Sequence, residues 1–125
     1  MDTPRFAAIA VEQQDGSVLL VPRGQYHGLI CIKLTGPELA LGDVLQAILP
    51  YARVVMPKGL IKVTEFDHDW DNSPARLTIY LTRGARIYNH SAYAGVCVAN
   101  PAMIANPDIT VARLITTRSC VETAA

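Results

Sequence analysis

The chain has 125 residues, half of them hydrophobic, and carries 11 basic and 11 acidic residues, so its formal net charge is zero. Because binding to a nucleic-acid backbone needs clustered lysine and arginine, this balance argues against a nucleic-acid partner. The length favours a single compact domain over residues 1–125, and the absence of net charge favours self-association, which we expect to produce a homodimer.

The first third of the chain predicts a hairpin followed by a strand, a helix and another strand. Residues 6–12 are small and apolar on both faces of a predicted strand, Asp15-Gly16 has the residues of a tight turn, and residues 17–22 supply the partner strand. Residues 29–32 are an apolar run typical of a buried strand. Thr35, Pro37 and Glu38 then form a helix-start signal.

The central helix is the clearest helical pattern in the sequence. Leu41, Val44, Leu45 and Ile48 recur at the spacing of one helix face, and Pro50 ends the pattern. We therefore expect Leu45 and Ile48 to be buried against a sheet.

The second half of the chain predicts mainly strands. Residues 67–74 read Asp-His-Asp-Trp-Asp-Asn-Ser-Pro and predict an acidic loop ended by proline, whereas residues 76–82 alternate cleanly between apolar and polar. Residues 95–99 and 109–116 predict two late strands. These elements predict an α+β fold in which a mainly antiparallel sheet is covered on one face by one central helix.

Nothing in the sequence indicates export or membrane insertion. The apolar stretch near the N-terminus falls far short of the roughly 20 residues that span a bilayer. The three cysteines are widely separated and do not form a disulfide framework. We therefore expect a cytoplasmic protein with reduced thiols and no membrane contact.

The acidic loop carries the leading functional interpretation. It contains the chain's only tryptophan, flanked by aspartates, and an exposed tryptophan is a candidate interface anchor. This indicates a non-catalytic interaction protein, of the inhibitor, immunity or accessory type, that contacts a protein partner with a basic surface. The alternative is that the indole folds back onto the sheet. The predicted partner-binding residues are Asp67, Asp69, Trp70 and Asp71.

A second interpretation is a small-molecule binding protein that takes a nucleotide-like or carboxylate anion. Arginine offers a bidentate fork for such anions, and tyrosine offers a stacking face. The richest cluster of these residue types lies in the 83–93 region, and a smaller one lies in the loop before residue 29. The predicted ligand-binding residues are Arg23, Tyr26, His27, Arg83, Arg86, Tyr88, Asn89 and His90.

A third interpretation is a small metal-assisted hydrolase or nuclease built from loop histidines and aspartates, with Asp67, His68 and Asp69 as a loose divalent site. No GxSxG motif and no glycine-rich phosphate loop occurs. The sequence therefore assigns no catalytic residue, metal ligand or cofactor, and it favours a protein that is not an enzyme.

Overall fold

The computed structural model describes residues 3–37, 39–55, 59–70, 72–91 and 94–124. They form a sheet of eight strands with two helices. The strands are β1 (Arg5–Gln13), β2 (Val18–Arg23), β3 (Tyr26–Gly28), β4 (Ile30–Lys33), β5 (Arg53–Val55), β6 (Ile61–Trp70), β7 (Ser73–Tyr88) and β8 (Cys97–Ala99), and the helices are α1 (Leu41–Ile48) and α2 (Ile109–Ala124).

The strands pair in the order β3-β2-β1-β7-β5, while β4 pairs with β1, β6 with β7 and β8 with β2. β1 and β2 are antiparallel neighbours, and Gly16 in the predicted turn has a φ of 90°. However, the central strands β1 and β7 run parallel, with Arg5 beside Arg76 and Ile9 beside Tyr80. The sheet is therefore mixed, and the prediction of a mainly antiparallel sheet is wrong.

Helix α1 begins later than the sequence pattern indicated. It starts at Leu41, after Ala40, and no side chain caps it. Its buried residues are Val44 and Ile48, which pack with Ile9. Leu45 is 42% exposed, so its predicted burial is wrong: the helix rests on the sheet through one edge of the expected apolar stripe. Glu38, the third residue of the predicted start signal, lies outside the described residues.

A second helix, α2, covers the other face of the sheet. It includes residues 109–116, for which the sequence predicted a strand. Asp108 caps α2, because its Oδ1 accepts hydrogen bonds from the backbone N–H groups of Thr110 at 2.9 Å and Val111 at 3.2 Å. Val111 and Leu114 pack with apolar residues of β1 and β7. The prediction of one central helix on one face is therefore not confirmed.

The predicted acidic loop is a β-hairpin. β6 runs through the acidic residues to Trp70, and β7 begins at Ser73. Asn72 adopts a φ of 64°, a conformation that asparagine tolerates better than most residues. Consequently Asp67, Asp69 and Trp70 are strand residues with fixed directions, and Asp71 lies outside the described residues.

Neither helix in the described part of the chain has the length and apolar character needed to cross a bilayer. The expected cytoplasmic location stays a prediction.

Candidate functional site

A small apolar pocket opens on the face of the sheet that packs against α1, which we call the α1 face. It lies between the start of α1, the segment before β6 and the middle of β7, and its volume is about 120 Å³. Tyr80 of β7 is the one aromatic residue among the described residues that line it. We call this feature the Tyr80 pocket; it is lined by Leu39, Leu41, Val44, Gly59, Leu60 and Tyr80.

A charged network lies next to the Tyr80 pocket on the same face, because residues two apart in a strand point the same way. Arg76 donates from Nη2 to Glu65 Oε2 at 2.8 Å and from Nη1 to Asp67 Oδ1 at 2.9 Å. Thr78 Oγ1 donates to Glu65 Oε1 at 3.0 Å, and Lys62 Nζ lies 3.4 Å from the same oxygen. We call these five residues the Arg76 network.

The Arg76 network holds Glu65 in its ionised form. The hydrogen bond from Arg76, then that from Thr78, lowers the pKa of Glu65 from 4.5 to about 2. The two carboxylates raise the pKa of Arg76 in return, with Glu65 the larger cause. The network is therefore a fixed set of charges at neutral pH.

An open groove lies at the N-terminal end of β1, where Arg5 is beside Arg76. Its volume is about 550 Å³, and residues 3–5 and 33–37 line it. It contains two basic residues, Arg5 and Lys33, and no acidic residue among the lining positions that the structure describes. We call it the Arg5 groove.

The residues predicted to bind a protein partner do not form one exposed loop. Asp67 is exposed and bound to Arg76, and Asp69 is exposed. Trp70 folds back, with its ring centroid 5.8 Å from that of Phe6 and 5.1 Å from Cζ of Arg23. The alternative of an indole packed against the sheet therefore describes Trp70 better than an exposed anchor.

Side chains of the smaller predicted ligand set make contacts within the fold. Arg23 forms an ion pair with Asp108 and donates from Nη2 to Leu29 O at 2.8 Å. His27 Nε2 lies 3.1 Å from Gly95 O. Tyr26 is 46% exposed on β3. Arg23 thus joins β2 to the start of α2, which makes its first role structural.

The larger predicted ligand set lies at the far end of β7 and just beyond it. Arg83 Nε is 3.8 Å from Glu12 Oε1, whereas Arg86 pairs with Val55 of β5 in the strand register. Tyr93, the last residue of the 83–93 region, lies outside the described residues. Binding by this set stays a prediction. Arg86, Tyr88 and His90 are exposed, and Asn89 adopts a φ of 52°.

The described part of the chain offers no evident set of ligands for a divalent cation. Within the described ranges, no three His, Cys, Asp or Glu side chains lie together as a metal site. The loose site expected from Asp67, His68 and Asp69 is not formed, because alternation along β6 turns His68 to the opposite face from the two aspartates. Asp67 and Glu65 are both engaged by Arg76.

Sequence reasoning did not select the α1-face residues, although one signal was present. Arg76, Thr78 and Tyr80 share the polar face of the most regular strand pattern in the chain. A row of polar and aromatic side chains on one strand either faces solvent or belongs to a functional site. Only the pairing of β7 with β1 and β6 shows that this row faces Arg5 and Glu65.

Comparison with known proteins gives a likeness in fold. No family model matches the chain, and no curated protein matches it. Among solved structures, a MutT NUDIX hydrolase from Burkholderia pseudomallei superimposes with a TM-score of 0.65 at 17% identity, over 94% of this chain and 98% of that one. The NUDIX domain of Shewanella oneidensis NrtR complexed with ADP ribose gives 0.66 at 11% identity, over 97% and 90%. A C. elegans Ap4A hydrolase gives 0.63 at 7% identity, over 96% and 98%.

These neighbours correct the leading functional interpretation. Two are hydrolases and the third is complexed with ADP ribose, so the expected non-catalytic, inhibitor-like protein with a basic protein partner is wrong. The expected homodimer stays a prediction. What the likeness establishes is the architecture: the mixed sheet between α1 and α2 has a fold similar to that of Nudix hydrolases.

Proposed function

We propose that the protein is a hydrolase that acts on a small nucleotide, and that its substrate lies on the α1 face. The names of its fold neighbours support this, since they include an Ap4A hydrolase and a domain complexed with ADP ribose. The likeness covers 94% of this chain.

The α1 face offers an apolar end and a cationic end for such a substrate. Ring stacking on an aromatic side chain suits any nucleobase, and the Tyr80 pocket supplies one. At about 120 Å³ it is smaller than the roughly 300–1,000 Å³ of most ligand sites. It therefore accommodates one ring system, and the remainder of the nucleotide extends along β7 toward Arg76 and Arg5.

The spacing along the sheet agrees with this orientation. Tyr80 and Arg76 are four residues apart in β7, and at about 3.3 Å per residue their Cα atoms are roughly 13 Å apart. A nucleoside diphosphate spans a comparable length from base to terminal phosphate. Thr78 lies between the two, and its hydroxyl is already held by Glu65.

Hydrolysis of a phosphoanhydride adds water to one phosphorus and breaks its bridging P–O bond. Enzymes that do this commonly employ divalent cations held by carboxylates. Glu65 and Asp67, the carboxylates of the Arg76 network, are bound to Arg76, and no three-ligand cluster occurs within the described ranges. The described residues therefore do not fit such an ion. The arrangement of the chain's own groups supports binding and orientation of the nucleotide.

The observation that carries the proposal is the Tyr80 pocket, which lies on a sheet whose fold is similar to that of nucleotide hydrolases. The test is to incubate the purified protein with ADP-ribose, Ap4A and nucleoside triphosphates, and to separate the products by chromatography. We expect consumption of at least one of them. Because stacking contributes about 1–3 kcal/mol per base, Tyr80→Ala should raise KM at least about fivefold, whereas Tyr80→Phe should keep the wild-type value.

Tyr88→Ala is the matched control, since Tyr88 is 45% exposed on the same strand but lies away from the pocket. Thermal unfolding of each variant separates loss of substrate from loss of fold. A larger effect from Tyr88 than from Tyr80 would move the site to the 83–93 region. Failure of the wild type to consume any of these nucleotides would contradict the proposed hydrolase.

A further inference from the structure

The Arg5 groove has the charge and size of a phosphate site. At about 550 Å³ it falls in the range of ordinary ligand sites. Arg5 and Lys33 are its charged residues among those described, and the hydroxyl-bearing residues Thr3 and Thr35 also line it. A groove with cations and hydroxyls but no described carboxylate suits an oxyanion.

Arg5 has donors to spare, in contrast to the arginine beside it. Arg76 directs both terminal nitrogens at carboxylates. The one side-chain hydrogen bond that Arg5 makes within the described residues is a long one, from Nη1 to Gly36 O at 3.4 Å. A guanidinium has five N–H donors in a planar fork that matches phosphate oxygens. Arg5 can therefore bind a phosphate without breaking the Arg76 network.

Among the residues that the structure describes, no acidic cluster lies on this face to place a metal ion between protein and phosphate. Charge compensation for a diphosphate then has to come from side chains. Arg5 supplies a positive charge on this face, and Lys33 lines the same groove at the strand end, where it pairs with Phe6 and so projects from the opposite face of β4. The charges of Arg76 and Lys62 are already partnered by Glu65 and Asp67.

We infer that the Arg5 groove binds the phosphate groups of the nucleotide directly on Arg5 and Lys33, with no divalent cation between them. This inference rests on the proposed nucleotide substrate and adds to it the location and the metal independence of the phosphate subsite. It predicts that affinity for a nucleoside diphosphate depends on these two side chains and is unaffected by removal of divalent cations.

The test is isothermal titration with ADP and with adenosine, each in EDTA and in magnesium chloride. We expect ADP to bind in EDTA with a Kd within about threefold of that in magnesium. A hydrogen bond to a charged group contributes about 1.5–3 kcal/mol, so Arg5→Gln should weaken ADP by roughly tenfold to a hundredfold. It should leave adenosine binding unchanged, because adenosine has no phosphate.

Two further variants keep the result interpretable. Arg53→Gln removes the same charge from an exposed position on β5, where the guanidinium contacts Leu49 O, and it should leave ADP binding at the wild-type value. Lys33→Gln, at an exposed position, should weaken ADP as Arg5→Gln does, and it provides a second reading if Arg5→Gln lowers the melting temperature.

Three outcomes would overturn the inference. ADP binding that requires magnesium would place a metal ion at the phosphates. Equal effects of Arg5→Gln and Arg53→Gln would reduce the role of Arg5 to general electrostatics. In both cases nucleotide binding, and so the proposed substrate class, would survive. Absence of binding by both ADP and adenosine would remove the proposed substrate class together with this subsite.

Discussion

The guanidinium of Arg76 donates from Nη2 to Glu65 Oε2 at 2.8 Å across the β6–β7 pair. This contact, with a smaller contribution from Thr78, lowers the pKa of Glu65 to about 2. A lowered pKa means that the folded state binds a proton less readily than the unfolded state does. The contribution of Glu65 to stability is therefore complete above the ordinary value of 4.5 and disappears as the pH falls toward about 2.

We expect this contribution to appear as a pH-dependent difference between the wild type and Glu65→Gln. The difference in melting temperature should be largest at neutral pH and should shrink as the pH falls from about 4.5 to about 2. Differential scanning calorimetry across that range measures it. Asp69→Asn is the control, because Asp69 is exposed on the same strand and forms no ion pair within the described residues. A constant difference for Glu65→Gln would contradict the assigned pKa.

The second prediction concerns the packing of α1. Ile48 is 1% exposed and Leu45 is 42% exposed, although both lie on the stripe predicted from sequence. Ile48→Ala should cost about 2–5 kcal/mol through lost burial and a cavity. Leu45→Ala should cost well under half of that, since much of its side chain is already in water. Urea denaturation provides both values, and a larger loss for Leu45 would mean that α1 is rotated about its axis.

Sequence patterns located the elements whose signals are local. The β1–β2 hairpin follows from Asp15-Gly16, and β7 follows from the alternation of residues 76–82. The position of α1 follows from its apolar periodicity. Its rotation does not, because the spacing of Leu41, Leu45 and Ile48 permits more than one edge of the stripe to meet the sheet.

The α2 segment was mistaken for a strand because residues 109–116 are rich in β-branched side chains, which favour strands. The opposing signal was Asp108, a good N-cap that follows Pro107. In the structure this cap and the burial of Val111 and Leu114 outweigh local propensity. Propensity is a weak prior, and tertiary packing routinely overrides it.

The candidate site depended on contacts that no local pattern contains. Arg5 and Arg76 are neighbours only because β1 and β7 pair in parallel, and parallel strands need a long crossover. The acidic residues of β6 suggested a loop when read alone. Opposite Arg76 and Thr78, the side chain of Glu65 is instead a cross-strand partner, which stabilises the hairpin.

The third prediction concerns Gly28, at the end of β3. A Cβ there would overlap the carboxylate of Asp108 and the guanidinium of Arg23, which form an ion pair. Gly28→Ala should therefore cost about 1–3 kcal/mol, the usual range for overpacking. Gly42→Ala is the matched control, because Gly42 lies in α1 with open space around it. Alanine there should raise the free energy of unfolding by as much as about 1 kcal/mol. Equal effects of the two substitutions in denaturant would contradict the close packing at Gly28.

The last prediction separates the two interpretations of Trp70. Its ring contacts Phe6 and lies under the guanidinium of Arg23. An aromatic pair contributes about 0.5–1.5 kcal/mol beyond burial, and a cation–π contact about 0.5–1 at exposed sites. Trp70→Ala should therefore lower the free energy of unfolding by about 1–3 kcal/mol, whereas Trp70→Phe should retain most of it. Because Trp70 is the only tryptophan, circular dichroism in urea is the suitable measurement. An unchanged free energy of unfolding in Trp70→Ala would mean that the indole is in water, and that Phe6 and Arg23 gain nothing from it.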